Sequence, residues 1–238
     1  MKYAHILKAR FLSRPNRFVA LVELDSRELA VHVKNTGRCQ ELLLPGATVY
    51  LEDFSGRMGK RKLPCDLVAV EKGAQGLLIN MDAQAPNRVV EEALLEGRLC
   101  LPGLTGPLTV RPETVFGDSR FDFFVRDGSG REGYLEVKGV TLEEHGVASF
   151  PDAPTERGVK HIRELVSARE QGFVACILFV IQMEGMTVFR PNDARHMAFG
   201  EALRYAASQG VAIMARQCAV TPDCLCLTTG VPVDLSRY

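Results

Sequence analysis

Two carboxylates and an amine, Asp122, Glu136 and Lys138, sit in the stretch SRFDFFVRDGSGREGYLEVKGV, residues 119–140. The stretch reads as two strands reversing at Asp-Gly-Ser-Gly, a strong turn signal. With the turn centred on Ser129, Asp122 stands opposite Glu136, and Arg120 opposite Lys138. Side chains alternate along strands, so Arg120, Asp122, Phe124, Tyr134, Glu136 and Lys138 share one face. Phe121, Phe123, Val125, Leu135 and Val137 share the other, which is apolar. Opposed Cβ atoms lie about 4.5–5.5 Å apart, where like charges repel. A divalent cation gives two carboxylates a reason to meet. Mg²⁺, or Mn²⁺ in its place, is a hard ion held through oxygen by one or two carboxylates together with water and substrate phosphate. Lys138, on the same side, could orient or help deprotonate a water attacking phosphorus, or stabilise the charge that develops. The plainer alternative is a surface network in which Arg120 and Lys138 neutralise the two acids.

The elements that must position these groups can be read around them. Residues 1–82 look all-β. RFVALVEL and ELAVHVK flank a turn at Asp25-Ser26, and further short strands fit 48–51, 67–71 and 77–80. Five short strands in such a segment suit a small barrel of the OB type, although an SH3-like barrel or a sandwich fragment reads much the same. Residues 83–238 then form a second, α/β or α+β unit. A helix begins near Pro86 and stops at Gly97. Strands are expected at 120–125, 134–140, 173–181, 211–215 and 224–227, and helices at 155–171 and 195–209.

Lys plus Arg and Asp plus Glu both number 29, so the net charge is zero and any attraction to nucleic acid must be local. Basic residues cluster early: Lys2, Lys8, Arg10, Arg14 and Arg17 come before the first acidic residue, Glu23. The run GRMGKRK adds Arg57, Lys60, Arg61 and Lys62. Such clusters can track a phosphate backbone, or form nothing more than a solvated rim. The run lacks the spacing of a phosphate-binding loop. The start of the chain lacks the apolar core of a signal peptide, and the most apolar run, 173–183, is too short to span a bilayer. The seven cysteines are odd in number and scattered, which argues against a disulfide framework and points to a reduced, cytoplasmic setting. Cys218, Cys224 and Cys226 lack the pairing and the histidine partner of a zinc site. His5, His32, His145 and His196 have no partner pattern.

Two further segments could bind. In FPDAPTERGVKHIREL, Val159, Ile162 and Val166 form one helical stripe, with Arg157, Lys160, His161 and Glu164 roughly opposite. That polar side is either solvent-facing or places Arg157, ahead of His161, near phosphate. NTGR, residues 35–38, is a turn by composition. On a barrel face, Arg38 could meet phosphate and Asn35 a base edge or sugar, with Thr36 between them.

SRFDFFV, GYLEVKGVTL and FPDAPTERGVKHIREL, in that order, resemble the bacterial and archaeal SfsA (sugar fermentation stimulation protein A) family. RPNRFVALVEL, HVKNTGRCQELLLPGATV and APNRVVEEAL extend the resemblance over nearly the whole chain. It implies an N-terminal OB-like domain, residues 1–82, and a C-terminal domain of the PD-(D/E)xK nuclease type, residues 83–238. It also implies DNA binding. Asp122, Glu136 and Lys138 match the family's Asp and its E-V-K, and Glu92 matches a helix Glu able to complete the metal site. Arg17, Asn35, Thr36, Arg38, Lys60, Arg61, Arg120 and Arg157 are the expected nucleic-acid contacts. Lys34 departs from the family, which more usually has Pro before NTGR. Two functions follow. One is a DNA-binding, Mg²⁺-dependent phosphodiesterase. The other is a non-catalytic DNA-binding regulator of sugar-metabolism genes that keeps a vestigial nuclease fold. Single-stranded DNA and RNA stay open as partners; a membrane is not expected.

Overall fold

The computed structural model describes residues 1–35, 37 and 39–237. The expected contacts Thr36 and Arg38 lie outside the described residues.

Six strands build the first unit: β1 (Ile6–Asn16), β2 (Val19–Leu24), β3 (Arg27–Val33), β4 (Thr48–Asp53), β5 (Cys65–Lys72) and β6 (Leu77–Asn80). They are ordered β3-β2-β1-β4-β5-β6, and a parallel β3–β5 pairing closes five of them into an OB barrel. The turn at Asp25-Ser26 is as expected, with φ of 49° and 61° at the two residues. Positive φ at both central positions suits the twist of a two-residue hairpin. β1 is an addition to the five strands expected. Its Lys8, Arg10, Arg14 and Pro15 mask the buried positions Ala9 and Phe11.

In the second unit α1 (Ala85–Leu95) is followed by β7 (Thr109–Phe116), β8 (Ser119–Arg126), β9 (Glu132–Val140), β10 (Leu142–Glu144) and β11 (Val147–Phe150). Then come α2 (Glu156–Glu170), β12 (Val174–Ile181), β13 (Val188–Pro191), α3 (Asp193–Ser208), β14 (Ala212–Thr221) and β15 (Cys224–Gly230). The main sheet runs β15-β14-β12-β9-β8-β7, with β9, β12 and β14 parallel and the outer pairings antiparallel. β12 is buried along its whole length, as a continuous apolar strand between two covered faces must be. α1 packs on one face against Phe123, Val125, Leu135 and Val137. α2 and α3 pack on the other, where their core runs on into the barrel interior. A small sheet, β10-β11-β13, joins the side of this unit. Among the described residues no helix is long and apolar enough to cross a membrane.

The two units meet at a polar joint. The Gln182 side-chain amide donates to Asn80 Oδ1 at 2.9 Å and to the Asn80 and Asp82 carbonyls at 3.1 Å. Asp82 is fully buried, and its carboxylate is paired with Lys34 from the end of the barrel.

Candidate active site

β8 and β9 pair from Phe123↔Leu135 to Arg126↔Glu132, the register that a turn centred on Ser129 dictates. Asp127 sets that turn. Its carboxylate accepts from the Ser129 amide and hydroxyl, at 2.9 and 2.6 Å, and from the Arg131 amide at 3.0 Å. The Ser129 hydroxyl bond, foremost among these, pulls its pKa down to about 2.

The ladder stops one step before Asp122 would face Glu136. Asp122 Oδ2 instead accepts the Val137 amide at 2.7 Å, so a side chain takes the place of a backbone rung. On the other edge, β7 pairs Pro112↔Phe123 and Thr114↔Phe121. Between them Glu113 leaves the ladder opposite Asp122, with φ of 52°. β8 is therefore irregular on both sides at Asp122, and the alternation of its side chains slips there. Phe121 does not share the face of Phe123 and Val125. It packs with Tyr134 and His161 on the α2 side, ring centroids 5.4 and 6.4 Å away.

Glu136 is 2% exposed. Its Oε1 accepts from Lys138 Nζ at 2.5 Å and is hydrogen-bonded to His161 Nδ1. Its Oε2 is buried and has no hydrogen-bond partner among the described residues. Arg157 Nε donates to His161 Nε2 at 3.3 Å, an order that leaves the imidazole proton on Nδ1, facing Glu136. Asp122 Oδ1 accepts from Asn87 Nδ2, on α1, at 2.8 Å.

The two acids are pushed apart. Burial, then the neighbouring Glu136 charge, raises the Asp122 pKa, against the bonds from Val137 and Asn87 and the charge of Lys138. Burial also works against ionised Glu136, but the His161 bond and the Lys138 charge outweigh it and hold that pKa below the ordinary value. One carboxylate's charge is thus favoured beside another whose charge is costly, an arrangement that a cation would relieve. As a donor set, these oxygens suit a hard divalent ion.

The remaining expected site residues fall elsewhere. Arg120 does not reach Lys138: it pairs with Val115 on β7, bridges to Glu113 at 3.2 Å and is exposed. Glu92 is bonded to the Met1 ammonium at 2.8 Å, beside β15, and no bond among the described residues joins it to Asp122 or Glu136. It lies five residues beyond Asn87, about 140° around the helix, so the two cannot face the same spot. His161 is not opposite the apolar stripe of α2; it is buried with Ile162 and Leu165. Arg17 lies over the Phe18 ring at 5.3 Å, and Arg61 over Phe54 at 3.8 Å while also bound to Asp66. Asn35 Oδ1 is turned inward to the Gly37 amide at 2.8 Å. Lys60 is exposed. Among the described residues no group of three or more His, Cys, Asp or Glu side chains is arranged to hold a metal ion.

Asn87 and the link from His161 to Glu136 are the features of this candidate site that sequence reasoning missed. The only signal for Asn87 was its position in the first turn of α1, on the border of the apolar face. His161 stood out only as a candidate phosphate contact behind Arg157; its bond to Glu136 gave no signal, because that partner is 25 residues away in the chain.

Comparison with known proteins agrees with this architecture. Residues 12–81 match the family model described as the SfsA N-terminal OB domain, and residues 84–224 the sugar fermentation stimulation protein RE domain. A sugar fermentation stimulation protein homolog from Desulfitobacterium hafniense is 51% identical over 223 residues, covering 94% of this chain and 93% of the relative. Another, from Clostridium beijerinckii, is 47% identical over 235 residues, covering 99% and 100%. The solved structure of Pyrococcus furiosus SfsA in complex with Ca²⁺ superimposes with a TM-score of 0.85 at 27% identity, covering 98% of both chains. An OB barrel followed by a restriction-endonuclease-like domain is therefore the fold.

Proposed function

This chain belongs to the sugar fermentation stimulation protein family, and from that premise we propose that it binds DNA and hydrolyses phosphodiester bonds with a divalent cation, Mg²⁺ or Mn²⁺. The observation that carries the reading is Glu136, whose charge acts on Asp122: one oxygen is held by Lys138 and His161, and the other is buried with no hydrogen-bond partner among the described residues. An unsatisfied buried carboxylate oxygen is costly unless something binds it. The Ca²⁺ complex of the Pyrococcus furiosus relative supports a cation in this role.

Asp122 and Glu136 would hold the ion. When bound, it polarises a phosphoryl oxygen and lowers the pKa of water. Asn87 and the Val137 amide fix the Asp122 carboxylate. His161 turns Glu136 by its Oε1, and Arg157 holds His161 in the donating tautomer. Lys138, mostly buried beside Glu136, supplies a fixed positive charge toward the negative charge that builds on phosphate during attack.

The test is cleavage of labelled single- and double-stranded DNA and RNA with Mg²⁺, Mn²⁺ or chelator, by wild type and by Asp122→Ala, Glu136→Ala and Lys138→Ala. Metal-dependent cleavage, lost by at least about 100-fold in each variant, is the expected outcome. One observation favours the binding-only regulator instead: among the described residues no group of three or more His, Cys, Asp or Glu side chains is arranged to hold a metal ion, and no bond joins Glu92 to Asp122 or Glu136. Salt-sensitive binding without cleavage, unchanged in all three variants, would decide for that reading.

A further inference from the structure

A recess of about 560 Å³ opens between the barrel and α1. That is within the range of about 300–1,000 Å³ typical of ligand sites. Its walls include Phe18, at the β1–β2 turn, and Phe54, just after β4, with His32 and Lys34 from the end of β3, Arg61, and Arg88 from α1. An adjoining recess of about 340 Å³ shares Phe18, His32 and Arg61 and adds Lys62.

The lining offers an exposed aromatic ring and a guanidinium. Phe18 is 49% exposed, although large aromatic side chains are usually covered. The Arg61 guanidinium carbon sits over Phe54, 3.8 Å from the ring centre, and Asp66 holds it there. Unpaired bases stack on both aromatic rings and guanidinium planes. The acids in the recess are already engaged: Asp66 by Arg61 and His32, Glu52 by Arg57 at 3.2 Å and the Ala4 amide at 3.1 Å. His32 offers Asp66 its Nδ1 at 3.2 Å, which leaves Nε2 for a base edge. Arg88 is exposed and makes no hydrogen bond or ion pair among the described residues, so its charge is available to phosphate. Its neighbour in the chain, Asn87, is the residue that grips Asp122. Two consecutive residues of α1 therefore connect the recess to the carboxylate site.

We propose that this recess receives an unstacked base of a nucleic-acid strand, so that the substrate is single-stranded, or unpaired where the barrel grips it, with the following phosphates led past Arg88 toward Asp122. The inference rests on the nucleic-acid reading above and narrows it. A base inside a duplex shows only its edges in the grooves and cannot present its face to Phe18 or Arg61. A free nucleotide would fill one recess, whereas a strand uses the two that share Phe18, His32 and Arg61.

The experiment is a set of binding titrations across salt concentrations, using a labelled DNA strand, its duplex, and the RNA of the same sequence, in chelator to prevent cleavage. A 2-aminopurine within the strand reports unstacking. The strand, as DNA or RNA, is expected to bind more tightly than the duplex, with 2-aminopurine emission changing on binding. Phe18→Leu should weaken strand binding on the order of tenfold with the salt slope unchanged. Arg88→Gln should reduce that slope by about one. Phe18→Ala is a second variant at this half-exposed position, and matched melting temperatures verify its fold. Equal affinity for strand and duplex, with both Phe18 variants neutral, would overturn this inference and leave DNA binding standing. No salt-sensitive binding to any nucleic acid would remove the broader reading as well.

Discussion

Glu136 and Asp122 differ in what their surroundings ask of them, and this gives a signature without any substrate. The Asp122 pKa is raised in the fold, so the folded chain holds that proton more tightly than the unfolded chain. Its ionisation therefore removes stability as pH rises from the ordinary value near 3.8 through the raised one. Glu136 is lowered, so its contribution is present above its ordinary value of 4.5 and lost as pH falls below it. Asp122→Asn deletes the first effect and keeps the second. In chelator its melting temperature should exceed wild type near pH 8, because the cost of charging that buried carboxyl is gone. The difference should shrink toward pH 4; a variant less stable than wild type at pH 8 contradicts the account. His161 gives a second test. His161→Ala removes one of the two bonds that hold Glu136 Oε1 and should weaken Mn²⁺ binding about 10- to 100-fold, as loss of a ligand's hydrogen-bond partner does. His161→Asn, which keeps a donor, should recover part of that loss.

At the level of elements, the turn and the break in the ladder do different work. Asp127 fixes the turn, the turn fixes the register, and the register delivers Asp122 and Glu136 to the same end of the hairpin. Asp127→Ala should lower both the melting temperature and the cation affinity, although residue 127 touches neither carboxylate. Preserved affinity would show that β12 and α1 alone hold the site. The hairpin was readable from Asp-Gly-Ser-Gly and the alternation around it, and so was its register. The slip at Asp122 was not, because Glu113 and Val137, which cause it, act from other strands. β7 and β1 escaped for a related reason. Pro112 in β7 and Pro15 in β1 read as breaks, yet both are accommodated next to register irregularities, where a missing amide costs little. α2 was recognisable from its apolar stripe, but the burial of His161 beside that stripe depends on Glu136 reaching across from β9. Glu92 shows the reverse: its match to a family position did not convey that the Met1 ammonium would occupy it.

Across the whole molecule, the barrel and the second unit are joined where Lys34 meets Asp82. Lys34 is the position at which this chain departs from the more usual Pro, and the structure gives the lysine a partner that Pro could not supply. Asp82 also accepts the Gln84 amide at 2.9 Å, next to the start of α1. Lys34→Ala leaves a fully buried carboxylate without its cation and should cost about 3–5 kcal/mol in urea unfolding. Adding Asp82→Asn should return part of it, and a Lys34→Ala variant as stable as wild type would mean that the joint does not depend on this pair. Because α1 carries Arg88 toward the barrel recess and Asn87 toward Asp122, loosening the joint should also weaken strand binding at constant salt.

All of this turns on Asp122 and Glu136 together gripping a cation. Calorimetric titration of Mn²⁺ into the metal-free protein and into Glu136→Gln, which keeps the size of the side chain, tests that most directly, with matched melting temperatures to verify the fold. One site per chain in the wild type, abolished by the substitution, is the expected result. Identical titrations for the two proteins would contradict it.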